Sequence, residues 1–167
     1  TLGVAATGAG KTQIFCEVIR RRMPGRSLIL AHRKELVAQA VNRLASFGMA
    51  AEIEQGELVA STSLFNACPV VVATPQTLYS SNFARLKRFN PEDFSTIICD
   101  EAHHYSGAPA FEAVVKHFKQ NPNAKLLGVT ATPDRTDNIA MAKIFDSVAF
   151  DIEITDLIQL GYLVDID

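Results

Sequence analysis

Cysteine is scarce in this 167-residue chain, and what little there is argues against covalent or metal staples. Cys16, Cys68 and Cys99 are odd in number, far apart and set in apolar stretches, so neither a disulfide framework nor a CxxC zinc site is expected. All three read as reduced core residues. Long hydrophobic runs are missing as well: no stretch approaches the roughly 18 residues a membrane span requires, and no charged-then-apolar leader opens the chain. These absences predict a protein of the cytoplasm, nucleoid or nucleus, neither secreted nor membrane-bound. An excess of one charge sign is also lacking. Sixteen basic residues against 18 acidic ones leave −2, so contact with a polyanion has to come from a local patch rather than from attraction by the whole molecule. Neither repeats nor low-complexity tracts interrupt the sequence.

Hydrophobic residues at 48% and charged residues at 20% place the chain among soluble globular proteins. Its length suits one domain that removes roughly 70% of the unfolded surface from water. Short β-branched runs alternate with helical stretches, a pattern that predicts an α/β fold with a mostly parallel sheet and helices on both faces. Strands are expected at 2–5, 27–31, near 53, and at 70–73, 96–99, 126–130 and 148–152. Runs such as Val70-Val71-Val72 and Ile97-Ile98 lack polar alternation, as expected of strands covered on both sides. Helices are expected at 12–22, 34–47, 111–118, 139–145 and 155–160, the second carrying Leu36, Val37, Ala40, Val41 and Leu44 on one face with Gly48 as its stop. Residues 49–69 and 79–95 carry no clear periodicity. The last residues read as extended chain leaving a finished domain, which divides the sequence into a domain over 1–154 and a linker start over 155–167.

Between the first expected strand and helix stands Ala6-Thr7-Gly8-Ala9-Gly10-Lys11-Thr12, the context a phosphate-binding loop needs. Gly8 and Gly10 permit a tight turn and close approach to an anion, and the loop amides and the helix N-terminus supply donors. Lys11 is then the cation for the β- and γ-phosphates of ATP, and the Thr12 hydroxyl a ligand to the magnesium that bridges them. Ala5 stands where the usual GxxxxGK[ST] pattern has its first glycine. A methyl group is compatible with the strand end expected there.

A second polar cluster follows the buried run 95–99: Asp100-Glu101-Ala102-His103-His104. In a parallel sheet this end faces the same edge as the phosphate loop. Asp100 is assigned to the metal and Glu101 to orienting and deprotonating the attacking water, because one carboxylate cannot both neutralise a cation and accept a proton. A zinc site built from His103, His104 and either His32 or His117 has no supporting ligand spacing. One histidine is expected to face the nucleotide or a coupling segment, the other to be a supporting polar residue.

Read together, ATGAGKT, ILAHRKELVAQ, VVATPQTL, DEAHH and GVTATPDR resemble the ordered motifs of superfamily 2 nucleic-acid helicases, most closely the branch of repair helicases and restriction motors. The resemblance runs along nearly the whole chain. It implies the first of two RecA-like domains, with ATP and magnesium as cofactors and nucleic acid as partner, DNA ahead of RNA. It also implies a second RecA-like domain whose arginines complete the ATP site, so this domain alone is expected to be nearly inactive. By the same resemblance, His32 and Arg33 and also Thr74 and Pro75 belong to segments that touch a strand along its phosphates, while His103, Thr130 and Thr132 couple hydrolysis to strand movement. For Thr74-Pro75 simple helix capping is the competing reading. The Arg20-Arg21-Arg22 run reads as structural, at a helix C-terminus where cations complement the dipole. Rival functions are a small-molecule kinase, for which no lid or acceptor-binding residues stand out, and a nucleotide sensor without hydrolysis, which has no need of Glu101.

Overall fold

Seven apolar runs pair side by side in one sheet: β1 (Leu2–Ala5), β2 (Arg26–Leu30), β3 (Ala51–Glu54), β4 (Val70–Ala73), β5 (Phe94–Asp100), β6 (Lys125–Thr130) and β7 (Val148–Ile152). The structure is a computed structural model, and it describes residues 1–6, 9–63, 67–105, 107–131, 141–142, 144–152, 154–159 and 161. The strand order is β3-β4-β2-β5-β6-β1-β7, and every adjacent pair is parallel.

Parallel strands need crossovers, and the crossovers carry helices to both faces. The helices are α1 (Lys11–Arg22), α2 (Lys34–Ser46), α3 (Pro75–Phe83), α4 (Pro109–Phe118) and a short α5 (Ile154–Gln159). Side-chain alternation sorts the strand residues into two cores. Leu28, Leu30, Val71, Ala73, Ile97 and Cys99 join Leu78 of α3 and Phe111, Val114 and Phe118 of α4. Ile29, Val70, Val72 and Ile98 join Phe15, Cys16 and Ile19 of α1 and Val37 and Leu44 of α2 on the other side. The three-layer α/β arrangement expected from the alternating pattern is therefore present.

Differences from expectation have local causes. β5 is longer than residues 96–99 because Phe94 pairs with Arg26 and Asp100 with Val129. Helix α3 starts where the capping reading of Thr74-Pro75 puts a helix, but its extent shows no clear period because its apolar pattern is short and its course breaks at Ser80, Ser81 and Asn82, the last two in left-handed conformation. Cys68 is half-buried, against a reading that made all three cysteines core, because it precedes β4 rather than lying within it. Of the helix expected at 139–145, residues 139, 140 and 143 lie outside the described residues, and Met141 and Phe145 are buried. Residues 162–167 of the expected linker also lie outside them.

One glycine in β1 is required by packing. A Cβ on Gly3 would come within 2.3 Å of the Phe150 ring on the neighbouring β7, so only hydrogen fits.

Candidate functional site

The strand order decides which loops meet. With β5, β6 and β1 adjacent, the segments following residues 100, 130 and 5 emerge side by side at the C-terminal edge, where ligands of parallel sheets collect. β2 and β4 lie on the far side of β5, which brings the segments after residues 30 and 73 to the same edge.

Ala5 ends β1 as a fully buried residue, so the departure from glycine falls on β backbone. Ala6, Ala9, Gly10, Lys11 and Thr12 are described, whereas Thr7 and Gly8 lie outside the described residues. Gly10 has φ +77, a left-handed conformation that admits glycine without strain, and it starts α1 directly. Lys11 and Thr12 thus open a twelve-residue helix whose first amides have no partners within the helix, an arrangement suited to an anion.

Asp100 and Glu101 end β5. Glu101 is itself left-handed at φ +52, uncommon for a residue with a side chain and worth of order 1–3 kcal/mol in strain. The turn leads into a 3-10 segment, Ala102–Tyr105. Across 90 positions of sequence, Lys11 Nζ lies 2.7 Å from Glu101 Oε1. The phosphate loop and the acidic pair therefore converge.

Burial alone pushes Glu101 up, but the hydrogen bond and charge of Lys11, helped by His103 and the Ala131 amide, hold its carboxyl below the ordinary value. Asp100 goes the other way. Burial first, then the Glu101 charge, raises it, and Lys11 and Arg43 oppose this only in part. A half-buried carboxylate and a helix-start hydroxyl lining one cavity are hard oxygen donors of the kind a divalent cation takes. Thr12 and Asp100 line one small cavity of about 30 Å³ together with Gln39 and Arg43 of α2.

Gln39 and Arg43 were not singled out from the sequence. Their i,i+4 spacing on the polar side of α2 was the available signal.

Of the coupling residues, His103 Nδ1 lies 2.7 Å from Thr130 Oγ1, so the end of β6 does meet the acidic motif. His103 Nδ1 is also 3.7 Å from Glu101 Oε2. Thr132 lies outside the described residues. The rings of His32 and His104 stack at 4.0 Å, a contact that sequence reasoning missed. Among the described residues there is no group of three potential metal-binding side chains.

The strand-contact segments divide. Arg33 is exposed at the start of α2 with no capping role for its side chain, and His32 is half-buried behind it. Burial first, then the charges of His104 and Arg33, holds His32 below the usual imidazole range. Thr74, by contrast, is buried, and its hydroxyl accepts from the Thr77 amide and meets the Thr77 hydroxyl at 2.9 Å. Pro75 is buried at the first position of α3. The capping reading thus describes the position of both residues, and Thr77 and Gln76 are the more accessible members of that segment.

Arg20, Arg21 and Arg22 behave structurally. Arg20 reaches the Phe47 carbonyl, Arg21 pairs with Glu17, and Arg22 donates to the carbonyls of Ser95 and Asn123 and to Thr96 Oγ1.

A lysine-bearing loop and a carboxylate pair delivered by parallel strands to one edge define a nucleotide-binding domain of the RecA-like P-loop class. A family model described as "Type III restriction enzyme, res subunit" matches residues 1–135. The chain belongs to that family and has the fold of the first RecA-like domain of superfamily 2 helicases. It is 32% identical over 170 residues to a putative mitochondrial ATP-dependent helicase, irc3, of Schizosaccharomyces pombe, covering 96% of this chain and 27% of that protein. It is 35% identical over 145 residues to the putative ATP-dependent RNA helicase MJ1505 of Methanocaldococcus jannaschii, covering 80% of this chain and 18% of that one. Among solved structures, the Pyrococcus furiosus Hef helicase domain superposes with a TM-score of 0.74 at 27% identity, over 89% of this chain and 34% of the other. The chain spans about a quarter of the length of the curated relatives it matches, 27% and 24% for the two irc3 proteins. Among the described residues, no helix is long and apolar enough to cross a membrane.

Proposed function

We propose that this domain binds ATP with magnesium and hydrolyses it as the motor module of a nucleic-acid helicase or translocase, with DNA ahead of RNA as the track. The observation that carries the reading is the 2.7 Å contact between Lys11 and Glu101. The contact brings a lysine at the start of a helix and a carboxylate at a strand end within reach of one γ-phosphate.

With ATP bound, Lys11 leaves Glu101 for the β- and γ-phosphates, backed by the amides of the loop and of the α1 N-terminus. Glu101, released from that pair, accepts a proton from the attacking water as the water oxygen bonds to the γ-phosphorus and ADP departs. Thr12 and Asp100 would hold magnesium, which supplies charge neutralisation on the phosphate oxygens. His103 and Thr130, with Thr132, sense the state of Glu101.

For the track, Arg33 and the first amides of α2 fit phosphate oxygens without reading bases, whereas at the start of α3 Pro75 has no amide proton and the Thr77 amide is taken by the Thr74 hydroxyl. Within that patch His32 backs Arg33. Thr74 and Pro75 serve by shaping the α3 N-terminus rather than by presenting the Thr74 hydroxyl. A second RecA-like domain in the same polypeptide would supply the arginines that complete turnover. An aqueous compartment, cytoplasm, nucleoid or nucleus, suits this assignment.

The test is ATP hydrolysis by the full-length protein with and without single-stranded DNA, duplex DNA and RNA. Stimulation by nucleic acid is expected, strongest with DNA. Hydrolysis indifferent to all three removes the motor assignment, and tight ATP binding without any hydrolysis favours a sensor.

A further inference from the structure

Because β2 lies beside β5, residue 32 and residues 101–104 share one stretch of the sheet edge. Three imidazoles lie ring against ring there. The His32 and His104 centroids are 4.0 Å apart with the planes tilted by 35°, and those of His104 and His103 are 4.0 Å apart at 44°. His103 carries the series onward, its Nδ1 2.7 Å from Thr130 Oγ1 and 3.7 Å from Glu101 Oε2. An unbroken set of contacts therefore joins the segment that presents Arg33 to the carboxylate that faces Lys11.

A second observation concerns the outer ring. His32 Nδ1 is buried and has no hydrogen-bond partner among the described residues. The His32 ring is positioned by its contact with His104 rather than by a bond at Nδ1. A shift of residues 31–33 has to be accommodated by the ring packed against it.

We propose that His104 is a positioning residue that relays occupancy of the 31–33 segment to Glu101. The proposal rests on the motor reading given above. Glu101 meets Lys11 at 2.7 Å through Oε1 and His103 at 3.7 Å through Oε2. When a nucleic-acid strand draws on residues 31–33, His32 moves against His104 and His104 against His103. The carboxylate then turns toward His103 and away from Lys11, which frees the lysine for phosphate and the base for water. Strand binding and hydrolysis become linked because each favours the same position of one carboxylate, the condition any coupling between sites must meet.

His104 is exposed, so its replacement leaves the core intact. The experiment compares wild type, His104→Ala and His104→Phe in the full-length protein. It measures ATP hydrolysis without and with single-stranded DNA or RNA, and strand affinity by fluorescence anisotropy. His104→Ala is expected to reduce nucleic-acid stimulation, taken as the ratio of stimulated to unstimulated rate, about tenfold, within the usual range of couplings between sites, while strand affinity stays as in wild type. His104→Phe keeps a ring in the stack and is expected to restore most of the stimulation.

Wild-type stimulation that survives unchanged in His104→Ala overturns the relay and leaves the motor reading standing. Strand affinity falling in step with stimulation overturns it too, since His104 is then a contact and not a relay. A wild type that shows no stimulation removes the motor reading, and the relay with it.

Discussion

Lys11 and Glu101 occupy each other in this structure, and the consequences differ for the two residues. Lys11→Ala is expected to abolish detectable ATP binding in calorimetry, because nothing else in the described loop neutralises phosphate charge. Glu101→Gln is expected to retain binding and to slow turnover by roughly 10² to 10⁴. Equal loss of binding in both variants would show that the two do not divide the work as assigned. The pair also sets a pH dependence. Glu101 is held below its ordinary value, so its contribution to stability is present above the unfolded carboxylate pKa and is lost as pH falls through the lower folded value. In Lys11→Ala, burial acts with far less opposition, and the Glu101 carboxyl is expected to titrate higher than in wild type, in a carbon-detected NMR titration. These residues were legible in the sequence because loop, lysine and acidic pair occur as contiguous motifs. His104 was half-legible: its motif was visible, but its neighbour His32 lies 72 positions away.

At the scale of elements, two buried charge clusters hold the sheet edges to the helices. Arg22 at the end of α1 donates to the Ser95 carbonyl and Thr96 hydroxyl at the start of β5 and to the Asn123 carbonyl just before β6, so Arg22→Ala is expected to cost about 1–3 kcal/mol in chemical denaturation. Arg21→Ala, which loses an exposed pair with Glu17, is expected to cost less than about 0.5 kcal/mol. The other cluster surrounds Glu54, whose fully buried carboxylate meets Arg85 at 3.0 Å and Arg88 at 3.1 Å and accepts from the Ala60 amide. Glu54→Gln is expected to destabilise by on the order of 3 kcal/mol, the low end for a broken buried pair because both arginines reach solvent. Gln55 beside it donates to the Lys34 carbonyl, which ties this loop to the start of α2. None of this was readable from residues 49–69 and 79–95, because the stabilising contacts there are ionic and long-range and leave no hydrophobic period to detect. By contrast α1, α2 and α4 were readable, since each repeats apolar residues at helical spacing against a sheet face.

For the whole molecule, the proposed ATP site lies at the C-terminal edge of a parallel sheet, and the segments proposed to meet nucleic acid lie along the same edge. The second-domain arginines implied by the family resemblance would complete such a site. The 167-residue domain assayed alone is therefore expected to turn over ATP some 10³ to 10⁵ more slowly than the full-length protein in steady-state hydrolysis. A rate approaching that of the complete motor would show that this domain is self-sufficient.

The sequence by itself determined the local parts. These are seven strands, the helices with clear periodicity, a glycine turn ahead of a lysine, and two carboxylates at a strand end, because each depends on neighbours within a few positions. The tertiary structure alone decided their adjacency. β1 inserts between β6 and β7, whose residues follow it by more than a hundred positions, and β2 inserts between β4 and β5. Those pairings place Lys11 against Glu101, Thr130 against His103 and His32 against His104, while Thr74 turns inward to cap α3. Such contacts follow from which strands exchange hydrogen bonds, a choice settled by burial of both sheet faces at once and not written in any single segment.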